Sequence, residues 1–327
     1  MTWLTWRQFR VPALSVFTGL AVIGVILAIT GPDLVGRTDF SDEDMLFGGT
    51  ILALYLLPAL VGVFWGVPLV TRELETGTHS LVWNQSITRR RWLTTKLGVG
   101  TVTAMAAGGL LSLAVTWWAS PIDTLAAQST DRGMLSRIAP VVFSARGIAP
   151  IGYAAFAFVL GVTVGILLRR TLAAMAVTLV VFFGVMLAVP FLVRPYFLPA
   201  LQETVTIEDS SIMGIHGSEQ GIEEILTREP AGAWVLANET VDQDGNVVSP
   251  LPSFVQNCVP RPGSGPPPEP GTMRSCLTQL DERGYQQHLA FQPGYRFWPL
   301  QWIELAFFLA LSALLTWLCF RRLRHLS

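Results

Sequence analysis

Charged and hydroxyl groups alternate along Thr71-Arg72-Glu73-Leu74-Glu75-Thr76-Gly77-Thr78, and Leu81-Val82-Trp83 and Thr88-Arg89-Arg90-Arg91-Trp92 follow before Lys96. These residue types at this spacing suit docking chemistry. Arg72 and Glu75, three apart, face each other on a helix, and Gly77 is placed to end it. Thr78 then caps a short new helix displaying Leu81, Val82 and Trp83, and Thr88 caps the helix after that. A short helix with apolar tips fits a groove on a soluble partner. The same residues also read as an interfacial helix that only anchors the loop.

Catalytic chemistry finds no such support. The chain has no His-Glu-x-x-His, and Gly217-Ser218-Glu219-Gln220-Gly221 has the wrong spacing for a nucleophile elbow. His79, His216, His288 and His325 are scattered, so neither a catalytic set nor a metal site is expected. A phosphate-cradling loop needs Gly-Lys-Ser/Thr, yet the sole lysine stands in Thr95-Lys96-Leu97. Any ATP that this chain's work requires must be hydrolysed by another polypeptide.

Two further features carry chemistry. Glu304 is the one acid inside an apolar run, beside the interface markers Trp298 and Trp302. It reads as a pathway or gating carboxylate, or as a hydrogen-bonded structural group. Cys258 and Cys276 bracket the Pro/Gly-rich stretch from Pro260 to Pro270, and a disulfide between them would contribute about 3 kcal/mol in the chain-entropy model. Two free thiols or an intermolecular bridge are the other readings, and Cys319, in an apolar run, is expected to be free.

The elements that position these residues follow from composition. The 327 residues are 51% hydrophobic and 14% charged, with mean hydropathy +0.48, where a soluble domain carries about 25% charged residues. The apolar surplus needs lipid to face. A net charge of −1 gives no global basic field, so nucleic acid is not an expected partner. Stretches of roughly 20 apolar residues, enough to cross a hydrocarbon core of about 30 Å, fall at Val11–Thr30, Ile51–Val70, Leu97–Ala119, Ile148–Leu168, Thr171–Val193 and Leu300–Phe320. The first is too long for a cleaved signal sequence and is expected to be retained.

Basic residues assign the ends of these spans. Arg7 and Arg10, Arg72 with Arg89 to Arg91 and Lys96, Arg169 and Arg170, and Arg321, Arg322 and Arg324 share one side with only Glu73 and Glu75. By the positive-inside rule that side is the cytoplasm, and both termini lie there. Acids gather in the alternate loops, from Asp33 to Asp44 and in the third and fifth. The expected fold is an all-α polytopic membrane protein of six helices, divided as residues 1–10, an N-terminal interfacial helix; 11–193, spans one to five with the cytoplasmic loop 71–96; 194–297, an extracellular α+β-like insert; and 298–327, the sixth span and tail. Within the insert, Ile222 to Leu226 reads as a short helix and Val241 to Val247 as a turn with apolar flanks.

The Arg-Glu-x-Glu-x-Gly-Thr pattern at Arg72 to Thr78, with Leu81, Thr88-Arg89 and Lys96 after it, resembles the signature loop of type-2 ATP-binding-cassette export permeases. Thr2-Trp3-Leu4-Thr5-Trp6-Arg7-Gln8-Phe9-Arg10 and Arg296-Phe297-Trp298-Pro299-Leu300-Gln301-Trp302-Ile303-Glu304 resemble actinobacterial members of that family. The chain departs from it at Ser86-Ile87-Thr88, where many members have Pro and Ser before the arginine, and in the size of the fifth loop. The resemblance implies a permease subunit that exports a hydrophobic or amphipathic substrate across a bacterial plasma membrane. It would work as a homodimer or with a sister permease, docked on two copies of a soluble ATPase that holds the ATP and Mg. Arg72, Glu73, Glu75, Gly77, Thr78 and Leu81 would then be coupling residues, joined by the apolar tip Val82 and Trp83. The competing expectation is a non-transporting assembly or sensory protein with an extracellular binding domain.

Overall fold

The computed structural model describes residues 2–37, 39–76, 88–128, 135–218, 221–256 and 272–323. Two compact units emerge, one of Met1–Leu125, Ala139–Leu198 and Arg296–Ser327, the other of Ala126–Ile138 and Pro199–Tyr295.

Among the described residues, six helices are long and apolar enough to cross a membrane, and the first unit is built on them: Arg10–Leu34, Asp44–Glu75, Arg89–Trp118, Ala149–Leu168, Thr171–Tyr196 and Gly294–Arg322. Each contains or closely overlaps an expected span. The first lies in a helix that runs unbroken from Thr2 to Thr30, so the expected interfacial segment 1–10 is continuous with it. Pro12 removes one backbone donor there without ending the helix.

The second span is built in three parts: helix Asp44–Val61, a π-helical turn at Gly62–Gly66, and helix Pro68–Glu75. Pro68 has no N–H to offer the Phe64 carbonyl, and the chain widens so that Val67 N donates to Gly62 O at 3.1 Å. The third span begins at a Thr88 cap, whose Oγ1 accepts from Arg91 N at 3.3 Å.

The fourth span is the centre of the unit, with 83% of its most apolar stretch buried against 44% at most for any other span. Glycine explains how the second span approaches it so closely. A Cβ on Gly161 would stand 2.2 Å from Gly62 O, and one on Gly66 2.5 Å from Phe158 O. The two Gly-x-x-x-Gly pairs, Gly62/Gly66 and Gly161/Gly165, therefore face each other across one crossing, and no larger residue fits at Gly161. The link from the fourth to the fifth span is only Arg169 and Arg170, with Arg169 in the left-handed region at φ 52°.

The second unit is mixed. Strands β1 (Leu201–Val205), β4 (Trp234–Val241) and β5 (Gln286–Gln292) form an antiparallel sheet in the order β1-β5-β4, and β2 (Ile212–Ser218) pairs with β3 (Gly221–Thr227) as a hairpin. Ile207, Ile222, Ile225, Leu251, Val255, Leu277 and Leu280 make its core, the last two from helix Thr272–Glu282. Ile222 to Leu226 is thus a strand, not the expected short helix. Between the pairs His216–Glu224 and Gly217–Ile222 the register skips Glu223, an extra residue in β3 itself, so Ile222 and Ile225 both turn inward. That three-residue spacing mimics a helical period. The Val241 to Val247 turn closes with an antiparallel bridge between those two residues. Residues 126–138 of the third loop also belong to this unit, and Ser136 Oγ donates to Gly232 O at 2.8 Å. The non-spanning unit is therefore assembled from two loops, where the sequence pointed to 194–297 alone.

Candidate functional site

The second span's last helix, Pro68–Glu75, carries the three charged residues of the motif. Glu73 turns toward the third span, where Lys96 Nζ donates to Glu73 Oε1 at 2.6 Å and to Leu69 O at 2.9 Å. Trp92 Nε1 donates to Glu73 Oε2 at 3.1 Å, and the Lys96 ammonium lies 4.7 Å from the centre of the Trp92 ring. Lys96 and Trp92 are both buried. A lysine so placed is stable only because its charge is paired and hydrogen-bonded. The chain's one lysine therefore locks the second span to the third.

Glu75 turns the other way. Its Oε1 accepts from Thr171 N at 2.6 Å and its Oε2 from Thr171 Oγ1 at 2.8 Å. Thr171 opens the fifth span's helix, so the carboxylate satisfies an orphan donor at a helix N-terminus, where negative charge is favoured. Thr171 Oγ1 also reaches Thr71 Oγ1 at 2.8 Å. The expected Arg72–Glu75 pair does not form. An exposed i,i+3 ion pair contributes only about 0.2–0.5 kcal/mol, and the charge-assisted cap draws Glu75 away while Arg72 stays exposed. The two glutamates thus join one helix end to two other spans. Gly77, Thr78, Leu81, Val82 and Trp83, the rest of the expected coupling set, lie outside the described residues.

A second polar cluster sits at the other end of the spans around Glu304. Arg194 Nε donates to Glu304 Oε2 at 2.6 Å and Arg194 Nη2 to Oε1 at 2.8 Å, a bidentate fork. Tyr153 of the fourth span donates its hydroxyl to the same Oε1. The guanidinium also reaches Ser144 Oγ at 2.7 Å and Pro140 O at 3.0 Å, and stacks 4.2 Å over the Phe143 ring. All three principal groups are essentially fully buried. Glu304, with both oxygens engaged, ties the fifth and sixth spans to the fourth and to the short helix Pro140–Phe143.

Gln301, one turn before Glu304, completes the bracing. Its Oε1 accepts from Ile148 N at 2.9 Å and Ala149 N at 2.7 Å, and its Nε2 donates to Phe143 O at 3.0 Å. Gly147, at φ 65°, makes the turn that presents those donors, and Ser112 Oγ donates to its carbonyl at 2.7 Å. Nearby, Arg146 Nε donates to Asp123 Oδ2 at 3.2 Å, a second buried pair.

Sequence reasoning found Glu304 but missed Arg194, Tyr153 and the Arg146–Asp123 pair. A signal for Arg194 was present: it is a lone arginine closing an apolar run on the side where acids gather. Cys276 is disulfide-bonded and Cys319 is a buried free thiol; Cys258, the partner expected for Cys276, lies outside the described residues.

Residues 33–194, which hold spans two to five and both glutamates of the motif, match the family model described as ABC-2 membrane transporter related. Neither the curated proteins nor the solved structures contain a match to the chain.

Proposed function

Because residues 33–194 match the family model described as ABC-2 membrane transporter related, we propose that the chain is the permease subunit of an ATP-binding-cassette exporter powered by a separate soluble ATPase. The observation that carries this reading is the double clamp at the motif. Glu73 joins the second span to Lys96 and Trp92 of the third, and Glu75 joins it to Thr171 of the fifth. A force applied to the loop that follows Thr76 is thereby delivered to three spans at once.

In this reading the basic ends of the spans face the cytoplasm of a bacterial cell, and the β-containing unit is extracellular. Two permease halves, identical or sister chains, enclose the pathway above two ATPase copies. Nucleotide-driven closure of the ATPases pushes the coupling segment, to which Gly77, Thr78, Leu81, Val82 and Trp83 belong. ATP and Mg stay in the partner. The cluster of Glu304, Arg194 and Tyr153 braces the far end of the bundle, and a pathway role for Glu304 would require this bracing to open during transport. The substrate is hydrophobic or amphipathic, in keeping with apolar spans.

A second reading rests on the folded outer unit, which has its own apolar core: an assembly or sensory protein that binds a ligand there without transport. One experiment separates the two. Leu81→Asp with Trp83→Ala removes the apolar tip, and burial of each side chain is worth about 2 kcal/mol. Association with the ATPase should fall by at least about a hundredfold, with loss of transport and normal membrane insertion. Wild-type binding and transport in that variant would defeat the coupling assignment and favour the second reading.

A further inference from the structure

The last turns of the second span border a groove of about 360 Å³, lined by Pro12 of the first span and by Phe64, Trp65, Pro68, Leu69, Arg72 and Glu73. We propose that this groove holds one anionic phospholipid, with its phosphate on Arg72 and the upper part of an acyl chain along Leu69, Pro68 and Phe64. This inference rests on the spans crossing a membrane and is independent of the transport reading.

Length, polarity and charge each support that occupant. From Phe64 to Arg72 the chain advances about 12 Å along a helix, longer than the headgroup zone of one leaflet at roughly 5–8 Å. The groove therefore runs from headgroup depth into hydrocarbon. Its deep end is apolar, and Phe64 is 58% exposed there, as expected of a side chain that meets lipid. Its shallow end carries Arg72, whose guanidinium is suited to a phosphate.

The local charge balance selects an anionic headgroup over a zwitterionic one. Both acids at this end are engaged within the protein, Glu73 by Lys96 and Trp92 and Glu75 by Thr171. Arg72, Arg90, Arg91, Arg169 and Arg170 are exposed at the same end of the spans. The groove mouth thus lies in a positive field that attracts anionic lipid.

Native mass spectrometry of the full chain released from detergent, titrated with phosphatidylglycerol or phosphatidylcholine, tests this. One phosphatidylglycerol should be retained in preference to phosphatidylcholine. Arg72→Gln should weaken its retention roughly tenfold, the loss of one charge-assisted hydrogen bond. Arg72→Lys should keep most of it, and Arg322→Gln, an exposed arginine outside the groove, should leave it unchanged. Equal retention of the two lipids, equal loss in Arg72→Gln and Arg322→Gln, or displacement of the lipid by inorganic phosphate would each overturn the proposal. Should Arg72→Gln not fold, Phe64→Asp, which charges the acyl end of the groove, supplies the same comparison.

Discussion

Replacing Arg194 by methionine tests whether the buried cluster around Glu304 braces the bundle. Arg194 and Glu304 are 0% and 1% exposed, and the fork between them measures 2.6 and 2.8 Å. The substitution strands a carboxylate with Tyr153 as its one remaining partner in the cluster, and removes the donor from Ser144 Oγ and Pro140 O. Breaking one side of a buried ion pair costs about 3–5 kcal/mol. That is a factor of roughly a hundred to a few thousand in the unfolding equilibrium. Replacing both charges is a different perturbation, because no uncompensated charge remains, and such replacements are often close to neutral. Arg194→Met with Glu304→Met should therefore be more stable than Arg194→Met alone. Reversible unfolding in mixed micelles, followed by tryptophan fluorescence, measures both. A loss below about 1 kcal/mol for the single variant would refute the bracing argument, and so would a double variant whose loss equals the sum of the two singles.

Three further outcomes are expected. Gly161→Val should cost at least about 1–3 kcal/mol in the same assay, because its Cβ would stand 2.2 Å from Gly62 O, while Gly184→Val, where a Cβ meets nothing within 4 Å, should be tolerated. The Asn246 backbone N–H, bonded at 2.8 Å, holds the Asp242 carboxyl below its ordinary value, with help from Asp244 N at 3.0 Å. A depressed folded value means the stabilisation is present above the unfolded value, about 3.9, and is lost as pH falls through the folded one. Amide-exchange protection at Asp244 and Asn246, taken relative to the intrinsic rate at each pH, should fall over that acid range, and Asp242→Asn should remove the pH dependence; protection indifferent to acid would contradict this. For the proposed orientation, cysteines introduced at Gly77 and Gly245 should react from opposite faces of the membrane, and labelling from the same face would reverse it.

Span number and position are legible in the chain because crossing a membrane is a one-dimensional requirement: about 20 apolar residues suffice regardless of neighbours. The Gly62-x-x-x-Gly66 and Gly161-x-x-x-Gly165 spacings are equally visible, but only the fold shows that they meet each other. Local preference failed where the period was distorted. Ile222 and Ile225 are three apart, as on a helix, yet the extra residue Glu223 in the same strand supplies that spacing within a sheet. The third loop's contribution to the second unit was hidden as well, since a contact such as Ser136 with Gly232 spans nearly a hundred residues.

The polar clusters divide in the same way. Residue types and spacing alone singled out Glu73 and Glu75 in the motif with Lys96 after it, and Glu304 as the one acid inside an apolar run. Their partners were decided by tertiary structure. Glu75 lies three residues from Arg72, and helix geometry offered that pair, but the fold presents the unsatisfied N-terminus of another span at 2.6 Å. Glu304 and Arg194 stand 110 residues apart and meet only when the fifth and sixth spans pack on the fourth. A sequence states which groups must find partners, since burying a charge alone is prohibitive. Which partner each one finds depends on how whole helices pack, and that is a property of all six spans together.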